Sequence, residues 1–393
     1  MYSTILKLLY FFTFGLIVHK QLGNANEILI SASSVISVIY IFVFLLNLLN
    51  KHQKIPLSRL ENFLILFVGL YIVYTSLNAL YVDKSAITQL LIDNISYITF
   101  TLLLLDFKRY EDIRESVFHF VTLLFSACLI TALFIFLMGY SKLEISSSSL
   151  HFISSQDYYF MFGEKRLSWL MTHKVRFAVF CLLGILFIYY HQNFNRFLKI
   201  IFISLGLIDI YLSNSMTVLF SSLILFLFLV NFKTINYYVK WLVFLSFLGG
   251  GTFLVYKYLS ILIEKRDIFT FGGRRFIWQS AIEFIQSNPW GVVNISEKYG
   301  LTTSYYGGVI FNNAHNIFLN EFMKHGIIGG TLFVIIYMLI QLQIFKSNSR
   351  MIGVILALFI SCMMDVVFSM EMLPIFLYAV PLIFYANDFK SKL

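Results

Sequence analysis

The chain has 393 residues, of which 59% are hydrophobic and only 12% charged, and its mean hydropathy is +0.81. Soluble domains carry roughly 25% charged residues, so these figures exclude a soluble globular protein, a disordered chain, a coiled coil and a disulfide scaffold. Lys and Arg total 29 against 20 Asp and Glu, a net charge of +9 whose meaning depends on where the cations fall.

The apolar excess predicts a single integral-membrane domain over residues 1–393, an all-α polytopic protein. A helix needs about 20 mostly apolar residues to cross the hydrocarbon core. In chain order, twelve segments qualify as transmembrane helices: Ile5–His19, Ile28–Leu49, Leu60–Val82, Ala86–Leu105, Val117–Gly139, Phe177–Tyr190, Phe197–Leu212, Thr217–Phe232, Tyr238–Tyr258, Ile327–Phe345, Met351–Phe368 and Leu373–Asn387. Met1 to His19 reads as the first membrane helix rather than a signal peptide, because no small-residue cleavage site follows. Gly249, Gly250 and Gly251 in the ninth span read as close-packing positions. Cys128, Cys181 and Cys362 lie in apolar runs with no paired spacing and read as packing residues.

With the N-terminus cytoplasmic, the inner loops and tail hold fourteen cations: Lys51, Lys54, Arg59, Lys108, Arg109, Arg114, Arg196, Lys199, Lys233, Lys240, Lys346, Arg350, Lys390 and Lys392. The short outer loops hold two, Lys20 and Lys84. The positive-inside rule then predicts that both termini are cytoplasmic. Two long connections, 140–176 and 260–326, face outside, the second being the large extracytoplasmic loop between helices 9 and 10. In or beside them lie twelve further cations, against the topological trend. Loops this long are more often functional or disordered than plain connectors. The second is not low in complexity and is expected to be ordered, with an amphipathic run from Phe276 to Ile285.

Three constellations can carry chemistry. In the first, Gly272-Gly273 precede Arg274-Arg275, with Trp278 after them and Asn288-Pro289-Trp290-Gly291 beyond. Glycines before arginines predict a turn opening a helix, whose N–H groups and guanidinium forks match phosphate oxygens. An interfacial helix with arginines on lipid head groups is an equal reading. In the second, Asn313 reads as an N-cap and Gly326 as the residue ending a helix of about three turns. His315 and Asn316 would lie in its first turn, where a neutral imidazole suits a general base; a solvated histidine on a capped helix is the plainer alternative. The third is Lys165-Arg166-Leu167-Ser168-Trp169 with His173-Lys174-Val175-Arg176, an anion-binding stretch or a set of interfacial anchors. Asp93, Asp209 and Asp365 are candidate intramembrane acids, the last two near enough to span ends to reach water. There is no phosphate loop, HExxH, GxSxG or DxD pair.

Gly273-Arg274…Trp278, Pro289…Gly291, His315-Asn316…Leu319 and Gly326-Ile327…Gly329, set in one large late outer loop among many spans, resemble the O-antigen polymerase and O-antigen ligase superfamily. The resemblance covers roughly 272–330, and Arg166…His173 resembles the family's earlier outer-loop motif. That motif runs R-x-x-G and later P-N; this chain has Trp169 in the glycine place and Lys174-Val175 in the place of Pro-Asn. Ser215-Met216-Thr217 stands where the family often has S-R-T. The resemblance implies a membrane glycosyltransferase of the bacterial plasma membrane, acting at its outer face on glycans carried by undecaprenyl diphosphate. A polymerase elongates lipid-linked repeat units of O-antigen, capsule or exopolysaccharide, and a ligase moves the finished chain to lipid A-core. It further implies His315 as base and Arg274 stabilising the leaving diphosphate, with Arg166, Arg176, Arg275, Trp278 and Asn316 binding substrate. No metal, cofactor or nucleic acid is expected; membrane lipids, a flippase and a chain-length regulator are the expected partners. A flippase for lipid-linked oligosaccharide is the competing class, but the internal repeats of transporters are not evident.

Overall fold

The computed structural model describes residues 2–17, 19–22, 28–50, 55–82, 87–145, 150–162, 165–229, 273–292, 301–302, 310–311, 313–347, 351–364 and 372–386. Among these are thirteen α-helices. The protein is a helical membrane protein. The ninth predicted span, with Gly249 to Gly251, lies outside the described residues, as do Asp365 and the part of the large loop before Gly273, Gly272 included.

Among the described residues, four helices are long and apolar enough to cross a membrane. They are α3 (Arg59–Val82), α4 (Ile87–Arg109, its apolar stretch beginning at Leu90), α5 (Glu111–Leu137) and α11 (Ile317–Ser347). α2 (Ala32–Asn50), α7 (Lys174–Tyr190), α8 (Arg196–Leu212), α9 (Met216–Leu229), α12 (Ile352–Met364) and α13 (Met372–Phe384) are shorter apolar helices. α1 (Tyr2–Tyr10) passes into a wider π-helical turn at Phe11–Gly15, so the first predicted span is helical only to Gly15. Every residue of α13 is buried, and nearly every residue of α7. A helix apolar on all sides belongs inside a bundle, and these two form its centre. α3 and α5 instead leave large apolar side chains exposed, Val73, Leu77, Phe134 and Leu137 among them.

Lipid is as apolar as leucine, so membrane helices associate through close packing and hydrogen bonds. A Cβ on Gly206 of α8 would lie 2.7 Å from Ile185 of α7, so that glycine permits their contact. At one end of the bundle, Glu61 of α3 faces Lys108 of α4 at 3.6 Å and accepts hydrogen bonds from Tyr385 and from Gln343 of α11. Arg114 of α5 lies over the Tyr385 ring at 4.4 Å. Asp106 accepts hydrogen bonds from Tyr2 and Tyr40. α3 and α5 therefore start at the same end. Their other ends meet the two long connections.

Among the described residues, three short antiparallel strand pairs accompany the helices: β1 (His19–Leu22) with β2 (Ile28–Ser31), β3 (Tyr140–Ile145) with β4 (Leu150–Ser154), and β5 (Leu301–Thr302) with β6 (Ile310–Phe311). The β3–β4 hairpin and α6 (Ser155–Phe162) make up much of the first long connection. The second contains α10 (Arg274–Ser287), the amphipathic helix expected there.

Candidate functional site

α10 begins where the paired glycines predict. Gly273 adopts φ +84°, a left-handed conformation that suits glycine, and precedes Arg274 at the first helical position. Arg275 points outward and Arg274 is half-buried. Part of the apolar side of α10 packs on protein. Ile277 and Ala281 form a small core with Ala314 and Met323, flanked by Trp278, Phe284, Ile285 and Leu319. The arginine-led helix is thereby packed against the segment that carries His315, whose chain neighbour Ala314 is fully buried in this core.

The His315 loop is pinned by side chains bonding to backbone. Asn313 Oδ1 accepts from the His315 N–H at 3.1 Å. The Ala314 N–H donates to Asn320 Oδ1 at 2.8 Å. Asn316 Oδ1 accepts from the N–H groups of Phe318 and Leu319 at 2.9 and 3.2 Å. This corrects the expected cap: Asn316, not Asn313, caps α11, because its oxygen reaches the free N–H groups of the first turn. Asn313 turns the loop instead. His315 therefore precedes the helix rather than lying in its first turn, and its backbone is left-handed at φ +47°.

Gly326 interrupts α11 at φ +67° and ψ −171°, leaving a short helix ahead of the long one, as the basic residues and glycine predict. In an unbroken helix the Ile327 N–H would donate to the Met323 carbonyl. Here both groups change partners. Ile327 N–H donates to Pro289 O at 2.9 Å, and Met323 O accepts from Val292 N–H at 2.8 Å. The turn after α10 is thus threaded into the kink. A Cβ on Gly291 would lie 2.3 Å from Gly326 N, and one on Gly326 would lie 2.3 Å from Pro289 O. Pro289…Gly291 and Gly326…Gly329, far apart in sequence, are the two halves of one clasp.

Arg166 sits elsewhere at the same end of the bundle. It is 8% exposed, and Leu167 to Met171 are buried, so this part of the stretch packs into the protein, whereas Lys165 is exposed and His173, Lys174 and Arg176 are half-buried. Leu167 N–H donates to Leu212 O at the end of α8, and Ser168 N–H donates to Ser141 O, both at 2.9 Å. Trp169, in the family's glycine place, keeps a left-handed backbone at φ +49°. Its ring packs 5.6 Å from Phe180 and 6.3 Å from Phe177. Arg176 lies in the first turn of α7, where its Nη1 donates to Thr172 Oγ1 at 2.5 Å. Asn316 reaches toward this half indirectly. Its amide donates to Met363 Sδ of α12 at 3.7 Å, α12 packs along α9, and α9 follows α8 through Asn214, itself left-handed at φ +55°. Among the described residues, Trp169, Asn214 and His315 are the non-glycine residues with positive φ. Asp209, a candidate intramembrane acid near enough to a span end to reach water, is fully buried in the last turn of α8.

Residues 200–334 match the family model of the O-antigen ligases. The match covers α8, α9, α10, the His315 loop and the kinked start of α11, and it supports the O-antigen polymerase and ligase superfamily named from the motifs. Members of that family are glycosyltransferase-like enzymes. No curated protein matches the chain. The O-antigen ligase match ends at residue 334 and starts at residue 200, so Arg166, Arg176 and α3 lie outside it. Three contributors to the site escape motif reading. Asn320 holds the Ala314 N–H, while Tyr71 and Asn78 of α3 reach over from the membrane bundle. Only the helical spacing of Tyr71, Thr75 and Asn78 along one apolar span hints at a polar face.

Proposed function

We propose that the protein polymerises undecaprenyl-diphosphate-linked oligosaccharide repeat units into O-antigen, capsule or exopolysaccharide at the outer face of the bacterial plasma membrane. The observation that carries this reading is the packing of arginine-led α10 on the His315 segment, inside the stretch that matches the O-antigen ligases. In the reaction, an acceptor sugar hydroxyl attacks the anomeric carbon of the donor glycan. The bond from that carbon to the diphosphate oxygen breaks, and the lipid diphosphate leaves with the electron pair. His315 takes the hydroxyl proton. Arg274 stabilises the charge that develops on the diphosphate, because donors fixed in place before reaction cost no reorganisation. Arg275, Arg166 and Arg176 bind the same anion or its neighbours, Trp278 offers an aromatic face to a sugar or prenyl segment, and Asn316 orients the loop. The diphosphate is already a good leaving group, so the scheme calls on neither nucleotide nor metal.

Ligation to lipid A-core is the second reading, favoured by the description of the matching family. The departures at Trp169 and Lys174-Val175 favour the polymerase. Loss of the gene separates the two. A polymerase mutant keeps single repeats on its acceptor, whereas a ligase mutant accumulates long chains on the lipid carrier.

Purified protein in detergent, given synthetic undecaprenyl-diphosphate repeats without nucleotide, is expected to make longer glycans. Arg274→Ala is expected to slow elongation by about 10²–10³-fold, the usual loss for one charge-stabilising donor. His315→Ala is expected to cost about 10²–10⁴-fold, as for a general base. Full activity in both variants sinks the site assignment, and no elongation with any matched substrate sinks the function.

A further inference from the structure

Both halves of the candidate site are tied to one membrane helix. α3 turns Leu64, Val68, Tyr71, Thr75 and Asn78 into the bundle. Tyr71 and Asn78 are seven residues apart, two helical turns or about 10 Å, and share a face. Tyr71 Oη donates to Glu321 Oε2 at 2.7 Å. Glu321 lies on the short helix that follows His315, and His325 Nε2 is 3.8 Å from the same oxygen. The Tyr71 ring also meets His325 edge-on at 5.8 Å. Asn78 Nδ2 donates to the Trp290 carbonyl at 2.9 Å, in the turn that closes α10. Between them, Tyr74 lies where Gly329 permits close approach, 3.0 Å from a Cβ built on that glycine. Thr75 bonds back to the Tyr71 carbonyl at 2.8 Å, so its hydroxyl is satisfied within α3.

We propose that Tyr71 and Asn78 are positioning residues that hold the histidine half and the arginine half of the site in register through Glu321 and the Trp290 carbonyl. The proposal rests on the glycosyltransferase reading for its catalytic consequence, but its geometric claim stands apart from substrate. A hydroxyl or amide buried in the bundle loses its water partners and costs free energy when its hydrogen bond is removed, so each of these hydrogen bonds resists replacement. Together they fix two points, one on each partner of the clasp at Gly326. A rigid helix spanning both points sets their separation. Neither side chain needs to touch substrate.

Tyr71→Phe and Asn78→Leu test this, since each nearly keeps shape and removes only hydrogen bonding. In full-length protein in detergent, kcat for elongation is expected to fall about tenfold in each, the scale of a small misplacement of reacting groups, with KM within about twofold. In a parallel arm, spin labels on Tyr81→Cys of α3 and Gln286→Cys of α10, both exposed, report the distance between the helices. A narrow distribution is expected with Asn78 and a broadened one with Asn78→Leu. Unchanged kcat in both variants overturns the proposal. So does a fall in kcat without broadening, which marks a role other than position. Were the parent protein inactive with every substrate, the catalytic reading fails, while the distance arm still decides whether Asn78 holds α10 in place.

Discussion

The two long connections solve the same problem in different ways. The first folds back on its own bundle. Arg166 is held because Leu167 and Ser168 hydrogen-bond to Leu212 and Ser141, and because Trp169 is wedged against Phe177 and Phe180. The second rests on a small side-chain core and on asparagine bonds, and its two halves are joined at Gly326 by an exchange of backbone hydrogen bonds. The difference shows in how each tolerates sequence change. A site held by buried side chains can lose a motif glycine and keep its backbone shape, as Trp169 does at φ +49°. A clasp made where two backbones touch cannot accept even one methyl group.

The largest effect that breaks this comparison is expected at the clasp. Gly326→Ala and Gly291→Ala each place a Cβ 2.3 Å from backbone and hold alanine at positive φ. The left-handed penalty alone is about 1–2 kcal/mol. Separating the two segments also breaks two backbone hydrogen bonds, each worth about 0.5–1.5 kcal/mol. Both variants are expected to lose elongation by more than tenfold and to melt earlier in detergent. Wild-type melting and activity in either would mean that the clasp is not needed.

Trp169 carries the next effect. Trp169→Ala removes a buried ring, a loss of about 3–5 kcal/mol in other cores, and keeps a non-glycine residue at positive φ. Trp169→Gly removes the same ring but relieves the backbone by about 1 kcal/mol. Glycine is therefore expected to be the better tolerated of the two, against the usual ranking of Ala over Gly. Equal or reversed melting temperatures would show that the left-handed backbone at 169 is not what the family's glycine provides for.

Much of this arrangement was legible in the residues. Gly273 before Arg274 and the apolar positions of α10 announced that helix and where it begins. Gly326 after Lys324 and His325 announced the break in α11. Local chemistry determines both. The clasp was not legible as a contact, because nothing in Pro289…Gly291 or Gly326…Gly329 says that one fills the other's missing hydrogen bond. Tyr71 and Asn78 were hidden more deeply. They lie more than two hundred residues before their partners, in a span whose composition reads as ordinary. For Asp209 the sequence left an intramembrane acid and a water-reaching span end both open, and helix packing decides for burial.

The smallest expected effect separates two neighbouring asparagines. Asn316→Ala removes the oxygen that caps α11, a change that typically costs about 1 kcal/mol. Asn313→Ala removes one bond to the His315 N–H in a loop still pinned by Asn320 and Asn316. A single net hydrogen bond is worth about 0.5–1.5 kcal/mol, less where the group is part-exposed, as it is here. Asn316→Ala should thus lower the melting temperature more, while Asn313→Ala should leave stability near wild type and act on kcat, because it frees the backbone of His315 alone. The reverse order would return the cap to Asn313 and place His315 inside the first turn of the helix.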